Sequence, residues 1–495
     1  MKRLLSGILV LTLLFSILSL SSCANTNEEK GNTENSADEV NQGVTEEATT
    51  DIEEVVYSVP DSNFNGEEFH FLTRMETTPY WNDLDFQAEE ETGEAFNDAV
   101  YKRNRIVEDK LNITITETHI TDVIGSARKA IRAGDDVYDV VVTQSQNAGV
   151  LAADGLLIDL YQIPNLDLSA RWWDQNFNSS MSIMKKLYFS CGDINTVDNE
   201  ATWCVFFNKV MESNLGLDNH YELVRSGKWT IDQMHRYAVE ATKDLNGDGV
   251  LDPTDQWGMV NQYECMMAML MGSGKTITTK NADDIPELSM NNESSINILT
   301  RIHDWLNDKA AQIKADDYYG KYTDVWTEVN VGCFIQDRAL YYMGPMTTVH
   351  MFRAMDSSFG IIPLPKYDEA QTEYYSPIQY NNASVITVPV TNMDLERTGI
   401  VLTSMAAESI NTVTRAYYDV TLKRKLARDN DSSEMLDMIF GNRIYDIGFT
   451  YNWGALQSFY ENLVKKTPLD FTSQYEKNEP KIIKAMEKTI EEFNK

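Results

Sequence analysis

The placement of apolar positions divides the chain into three regimes. Residues 4–20 form one apolar run without a charge. Residues 24–61 are rich in Glu, Asp, Asn, Thr and Ser and nearly free of aromatics, with no helical or strand period. Such a stretch buries too little apolar surface to offset the ordering of its backbone, and its like charges keep it extended. From Glu67 onward both periods appear. Residues 67–73 (EEFHFLT) and the alternating run 111–116 (LNITIT) predict strands. Residues 138–143 (YDVVVT) carry the short β-branched run of a buried parallel strand. Helix composition lies between them, at 97–109 and 123–133. Strands separated by helices predict parallel α/β packing.

The pattern changes after Pro164. Residues 172–336 read as longer and more helical, opening one helix with a possible capping box, Thr230-Ile231-Asp232-Gln233. Residues 339–343 predict a strand ending at Gly344-Pro345, and 383–388 a further strand. The run 359–365 (FGIIPLP) holds too much proline for a central strand and predicts a stiff connector. Helices are predicted at 397–408, 432–440 and 480–493. The fold class is therefore α/β in two lobes. A chain of 495 residues is also too long for one ordinary core.

Charge removes whole classes of function. Lys plus Arg is 42 and Asp plus Glu is 76, a net of −34, which phosphate backbones repel, so no nucleic-acid partner is expected. Five cysteines without a C-x-x-C pair exclude a disulfide-stapled scaffold and a clustered thiolate zinc site. Cys191 and Cys204 are close enough in sequence for a loop-closing disulfide, with buried free thiols the alternative. Gly272-Ser273-Gly274-Lys275-Thr276 ends like a phosphate-binding loop but has Met269 where the first glycine belongs. There is no G-x-S-x-G and no H-E-x-x-H.

Two local signals are specific. Met1-Lys2-Arg3 followed by the apolar run has the form of a secretory leader. Leu20-Ser21-Ser22-Cys23 resembles the bacterial lipoprotein signal, in which the cysteine becomes residue one and takes the lipid (palmitate). Residues 1–22 are then signal peptide and 23–61 a disordered acidic tether. The second signal is residues 244–255 (DLNGDGVLDPTD). Asp244, Asn246, Asp248, Asp252 and Asp255 place oxygens at positions 1, 3, 5, 9 and 12, and Val250 offers its carbonyl at position 7. Gly249 stands at the turn. This is the spacing of a calcium loop, with Asp replacing the usual Glu at position 12. No amphipathic helix follows it, so a lone structural calcium ion is expected rather than a switch.

The order of several stretches carries a family resemblance. These are the lipidation site at Cys23, the tether, residues 97–104 (NDAVYKRN), 202–209 (TWCVFFNK), 334–341 (FIQDRALY) before Gly344-Pro345, and 359–365. From about Glu67 to the end the chain resembles the extracellular solute-binding proteins of family 1. These are the maltose-binding-protein-like lipoproteins of ABC importers in Gram-positive bacteria. The resemblance implies a type II periplasmic-binding-protein-like fold with a cleft between lobes. It implies lobe 1 from 67–165 and 372–411, and lobe 2 from 166–371 and 412–495, with the calcium loop in lobe 2 away from the cleft. It implies a monomer, anchored on the extracellular face of the cell membrane, that captures a carbohydrate, hands it to permease subunits and catalyses nothing. Aromatic faces and polar side chains suit a sugar. The candidates are Trp81 and Asn82 after the first strand and Gln144 and Ser145 at a strand's carboxyl end. Trp203 stands at the lobe 2 entry, Tyr380 and Asn381 before a return strand, and Tyr451 and Trp453 in the last third. Two alternatives use the same fold: a surface-anchored glycan-active enzyme and a non-transport adhesin or sensor.

Overall fold

The computed structural model describes residues 55–76, 81–353, 355–418 and 430–494. The leader, Cys23 and the tether up to Glu54 lie outside the described residues. Among the described residues, no helix is long and apolar enough to cross a membrane.

Each lobe is built on its own sheet. The first sheet runs in the order Ser384–Thr387, Val140–Gln144, Glu67–Arg74, Ile113–Ile120. Its last three strands are parallel and Ser384–Thr387 is antiparallel to its neighbour. Val140, Val141, Val142 and Thr143 are fully buried, as a β-branched run with helices on both faces requires. The helix Val123–Ala133 starts where the Asp122 carboxylate accepts from the Gly125 N–H at 3.0 Å. The second sheet runs Phe359–Ile362, Trp203–Asn208, Ala339–Pro345, Trp257–Asn261, Gln312–Lys314. Its last three strands are parallel, and Trp203–Asn208 is antiparallel to both neighbours. The expected cap forms, with Thr230 Oγ1 accepting from Gln233 N–H at 3.3 Å. The helix it opens, Ile231–Ala241, lies against Trp257–Asn261 so closely that a Cβ on Gly258 would meet the Ala238 carbonyl oxygen at 2.0 Å.

Four boundaries differ from the sequence reading. The packed body begins at Val55, inside the stretch read as tether. Val55 is buried, its N–H and carbonyl both bonded to the Asn411 amide, and Tyr57 sets its ring edge on Trp172. Val55 and Tyr57 make the dock, while Val56 between them is exposed. Residues 166–200, assigned to lobe 2, pack on lobe 1: Ser190 pairs with Ile386, and the Leu187 carbonyl accepts from Leu160 N–H. The end of the chain, also assigned to lobe 2, packs partly on lobe 1. The terminal helix Phe471–Phe493 lies on Ser145–Ala153, and Lys186 Nζ donates to the Phe493 carbonyl at 2.6 Å. Phe359–Ile362, read as connector, is an edge strand; the prolines begin only after it, at Pro363, where no ladder bond is lost. Cys191, Cys204, Cys265 and Cys333 are all buried free thiols.

Candidate functional site

The carboxyl ends of strands are where open α/β sheets gather ligands. In the second lobe three parallel strands deliver side chains to one place. Gln262, Tyr263 and Glu264 follow Trp257–Asn261, Asp316 and Tyr319 follow Gln312–Lys314, and Pro345 ends Ala339–Pro345. Trp326 joins them at the first turn of a π-helical stretch, Trp326–Val331, a geometry frequent at functional sites. From the first lobe, Trp81 follows the carboxyl end of Glu67–Arg74, and Gln379, Asn381 and Asn382 precede Ser384–Thr387. The C-terminal segment closes one side with Gln457, Glu461 and Lys465. Together they bound a cleft of about 470 Å³ between the two sheets.

Its polar groups pair in three small clusters. Gln379 Nε2 donates to both oxygens of Glu264, at 3.0 and 3.2 Å, and Asn382 Nδ2 donates to Gln379 Oε1 at 3.0 Å. Asp316 accepts from Gln262 Nε2 at 3.3 Å and from Tyr263 N–H at 2.5 Å. Gln146 Nε2 of the first lobe donates to Gln457 Oε1 at 3.0 Å. Lys465 Nζ stands 4.6 Å from the centre of the Tyr263 ring. Burial pushes the Glu264 carboxyl up to about 7; the Gln379 bond opposes this, and the charges of Glu461 and Asp316 add to it. Burial also raises Glu461, against the pull of Lys465. Trp81, Tyr263, Tyr319 and Trp326 supply aromatic faces among these polar groups.

The structure places the sequence candidates unevenly. Trp81 and Asn381 line the cleft. Asn82 stands beside Trp81, its Oδ1 accepting from Glu76 N–H at 2.5 Å. Trp203 and Tyr380 lie beneath the cleft with Met267 and Met271, where almost no free volume is left. Four candidates are not brought there. The Gln144 amide oxygen accepts from Asn147 Nδ2 at 2.7 Å, and buried Ser145 donates to the Tyr380 carbonyl at 2.8 Å, so both fix the start of one helix. Tyr451 stacks on Trp453 with ring centres 5.6 Å apart, and Trp453 Nε1 donates to Thr489 Oγ1 at 2.9 Å. That pair anchors the terminal helix; its aromatic rings are core.

Of the residues missed, one group had a signal in the sequence and one had none. Gln262–Glu264 follow Trp257–Asn261, a strand of five residues that is too short to show a period. Gln457, Glu461 and Lys465 follow each other at i, i+4, i+8, one face of a helical stretch.

The loop 244–255 lies between Ile231–Ala241 and Trp257–Asn261. Asp244 accepts from the N–H groups of Gly247 and Gly249 at 2.7 and 2.8 Å, which holds its carboxyl below the usual range. Asn246 accepts from Asp248 N–H, Asp248 from Val250 N–H and Asp252 from Thr254 N–H. Asp255 is fully buried and accepts from Leu245 and Asp252 N–H, tying the loop's two ends. Among the described residues no group of three or more His, Cys, Asp or Glu side chains is gathered as a metal site.

No protein-family model and no curated protein matches the sequence. Solved structures do. An ABC substrate-binding protein from Listeria monocytogenes, in complex with cycloalternan, is 13% identical with a TM-score of 0.54, over 85% of this chain and 99% of that one. A cyclo/maltodextrin-binding protein complexed with maltotetraose is 12% identical with a TM-score of 0.55, over 86% and 97%. The apo form of RafE from Streptococcus pneumoniae is 12% identical with a TM-score of 0.54, over 87% and 100%. At these identities the likeness establishes the fold alone, a two-lobed α/β body.

Proposed function

We propose that this protein is an extracellular solute-binding protein, held to the membrane through a lipid on Cys23, that captures an oligosaccharide for an ABC importer. One observation carries the reading. The cleft takes Trp81 from one lobe and Tyr263, Tyr319 and Trp326 from the other, with amide and carboxylate side chains between them. Structures of the same fold include an ABC substrate-binding protein in complex with cycloalternan and a cyclo/maltodextrin-binding protein complexed with maltotetraose, which supports a carbohydrate ligand. The expected sequence of events is ligand entry, closure of the lobes about the crossing segments, and docking of the closed monomer on permease subunits. The chain itself makes and breaks no bond in this account.

The test is a thermal-shift screen against an oligosaccharide and amino-acid library. It uses the chain from Ala24 onward, which keeps the whole compact unit Glu54–Lys495. A ligand at about 100 times its Kd stabilises the native state by about 2.7 kcal/mol. An upward shift with one oligosaccharide class is expected; a flat response to every sugar overturns the reading.

A second reading, a surface glycan-active enzyme, draws on one observation: Glu264, Asp316 and Glu461 share the cleft. Glycosidases need one carboxyl free to donate a proton and another free to attack or activate water. Glu264 is oriented by Gln379, and Asp316 by Gln262 and Tyr263 N–H, and both keep lone pairs to spare, so an assay for bond cleavage separates the two readings. The binding account expects no new reducing ends when the bound oligosaccharide is incubated with the protein.

We also propose that residues 244–255 hold a structural calcium ion, through Asp244, Asn246, Asp248, Asp252, Asp255 and the Val250 carbonyl. A carboxylate has about four lone-pair sites, so accepting one or two N–H bonds leaves capacity for a hard cation. Chelation is expected to lower the Tm of the wild-type chain by several degrees, and Asp248→Ala to remove that difference. Equal melting with and without chelator overturns the assignment.

A further inference from the structure

The charge of the cleft narrows its ligand. Of the residues that line it, Glu264, Asp316 and Glu461 are acidic and Lys465 alone is basic. Lys465 is already engaged, its Nζ over the Tyr263 ring at 4.6 Å and bonded to Asn462 Oδ1 at 3.1 Å. The other polar side chains are neutral amides, several of them spent on each other and on the carboxylates. When the lobes close and water leaves, a neutral sugar would leave the excess negative charge without a counterion in a medium of reduced dielectric. Buried charge without a partner is strongly disfavoured. An ammonium group would supply the counterion, and the faces of Trp81, Tyr319 and Trp326 would add attraction of their own.

We propose that the captured solute is a cationic, amino-substituted sugar chain, its ammonium groups held among Glu264, Asp316 and Glu461 against the aromatic walls. This rests on the oligosaccharide-binding reading above; the aromatic-walled cavity makes the site and its carboxylates set the charge. The state of Glu264 agrees with it. Its carboxyl is pushed to about 7 by burial and by the two neighbouring carboxylates, the crowding that a bound cation relieves. The whole chain's charge of −34 also draws cationic solutes toward it.

The test is calorimetric titration of the chain from Ala24 onward at pH 7 and low salt. Three probes of one linkage are compared: a glucosamine tetramer, its N-acetylated counterpart and the neutral glucose tetramer. The amino chain is expected to bind at least about tenfold tighter than either, with affinity falling as salt is raised. Glu461→Gln, at a half-buried position, is expected to cut the amino-over-neutral ratio about tenfold while its Tm stays near wild type. Asp316→Asn provides a second variant with the same expected loss of ratio. If the neutral or N-acetylated chain binds as tightly as the amino chain, the cationic assignment is wrong and the sugar-binding reading stands. If none of the three binds, the cationic assignment is wrong, and the sugar-binding reading is decided by the library screen. If the amino chain binds best but neither variant changes the ratio, charge recognition lies elsewhere and the assignment to these carboxylates is overturned.

Discussion

Replacing Arg443 with methionine should destabilise the body by about 3–5 kcal/mol, the range for breaking a buried ion pair by removing one partner. Arg443 is almost enclosed. Its guanidinium bridges Asp174 Oδ2 at 2.8 Å and Asp198 Oδ2 at 3.1 Å, and donates to Asn199 Oδ1 at 3.0 Å. Tyr445 donates to the same Asp174 oxygen at 2.6 Å. Arg443 itself pairs in a short ladder with Ser376, on the segment that returns the chain to lobe 1. The cluster therefore ties together three stretches far apart in sequence. Without the cation, two buried carboxylates face each other. Burial already raises Asp198 to about 6, with Arg443 holding it down and Asp174 pushing it up. A carboxyl raised in the folded state stabilises below its unfolded pKa and loses that contribution as pH rises through its folded pKa. The deficit of Arg443→Met in urea or thermal unfolding should thus be smaller at pH 5 than at pH 8. Adding Asp198→Asn should recover part of it at pH 8. A deficit below about 1 kcal/mol at pH 8 would mean the cluster does not hold these segments.

The second large effect is on binding. Trp81→Ala should weaken the oligosaccharide about 10- to 100-fold, and Trp326→Ala by a similar factor. Those factors correspond to about 1.4–2.8 kcal/mol, the scale of an aromatic anchor at a binding hot spot. Both tryptophans are partly exposed at the cleft and neither is fully packed in a core, so the Tm of the free protein should change little. Trp453→Ala is the contrast. That ring is 2% exposed, and its loss should cost about 3–5 kcal/mol of stability with no direct effect on ligand contact.

These two tryptophans show where sequence reasoning reached its limit. Trp81 and Trp453 look alike in the chain: each is an aromatic beside an asparagine, next to a tyrosine or separated from one by a single residue. What separates them is which side of the sheet the chain is on when it arrives. Trp81 follows a strand whose period and burial were legible, so its position at the carboxyl end followed. Trp453 follows a run with no strand, and only the docking of Phe471–Phe493 on lobe 1 buries it. The first sheet and several helices were legible because period and β-branching are local, whereas the crossing of the chain between lobes followed only from the family resemblance. The lobe 2 half of the cleft was not. Trp257–Asn261 and Gln312–Lys314 are short strands of five and three residues, too brief to show a period. Their carboxyl-end residues Gln262–Glu264, Asp316 and Tyr319 therefore carried no sign that they shared a site. Residues 166–200 were misassigned because a single paired residue, Ser190 against Ile386, decides which sheet they join.

The central claim is that both lobes grip one solute in the cleft between their sheets. Hydrogen exchange of the chain from Ala24 onward, with and without the oligosaccharide that raises its Tm, tests it most directly. The account predicts added protection in two separate stretches at once: Trp81 to Phe86 of the first lobe, and residues 262–264 with 316–326 of the second. Protection confined to one lobe, or appearing away from these stretches, would contradict it.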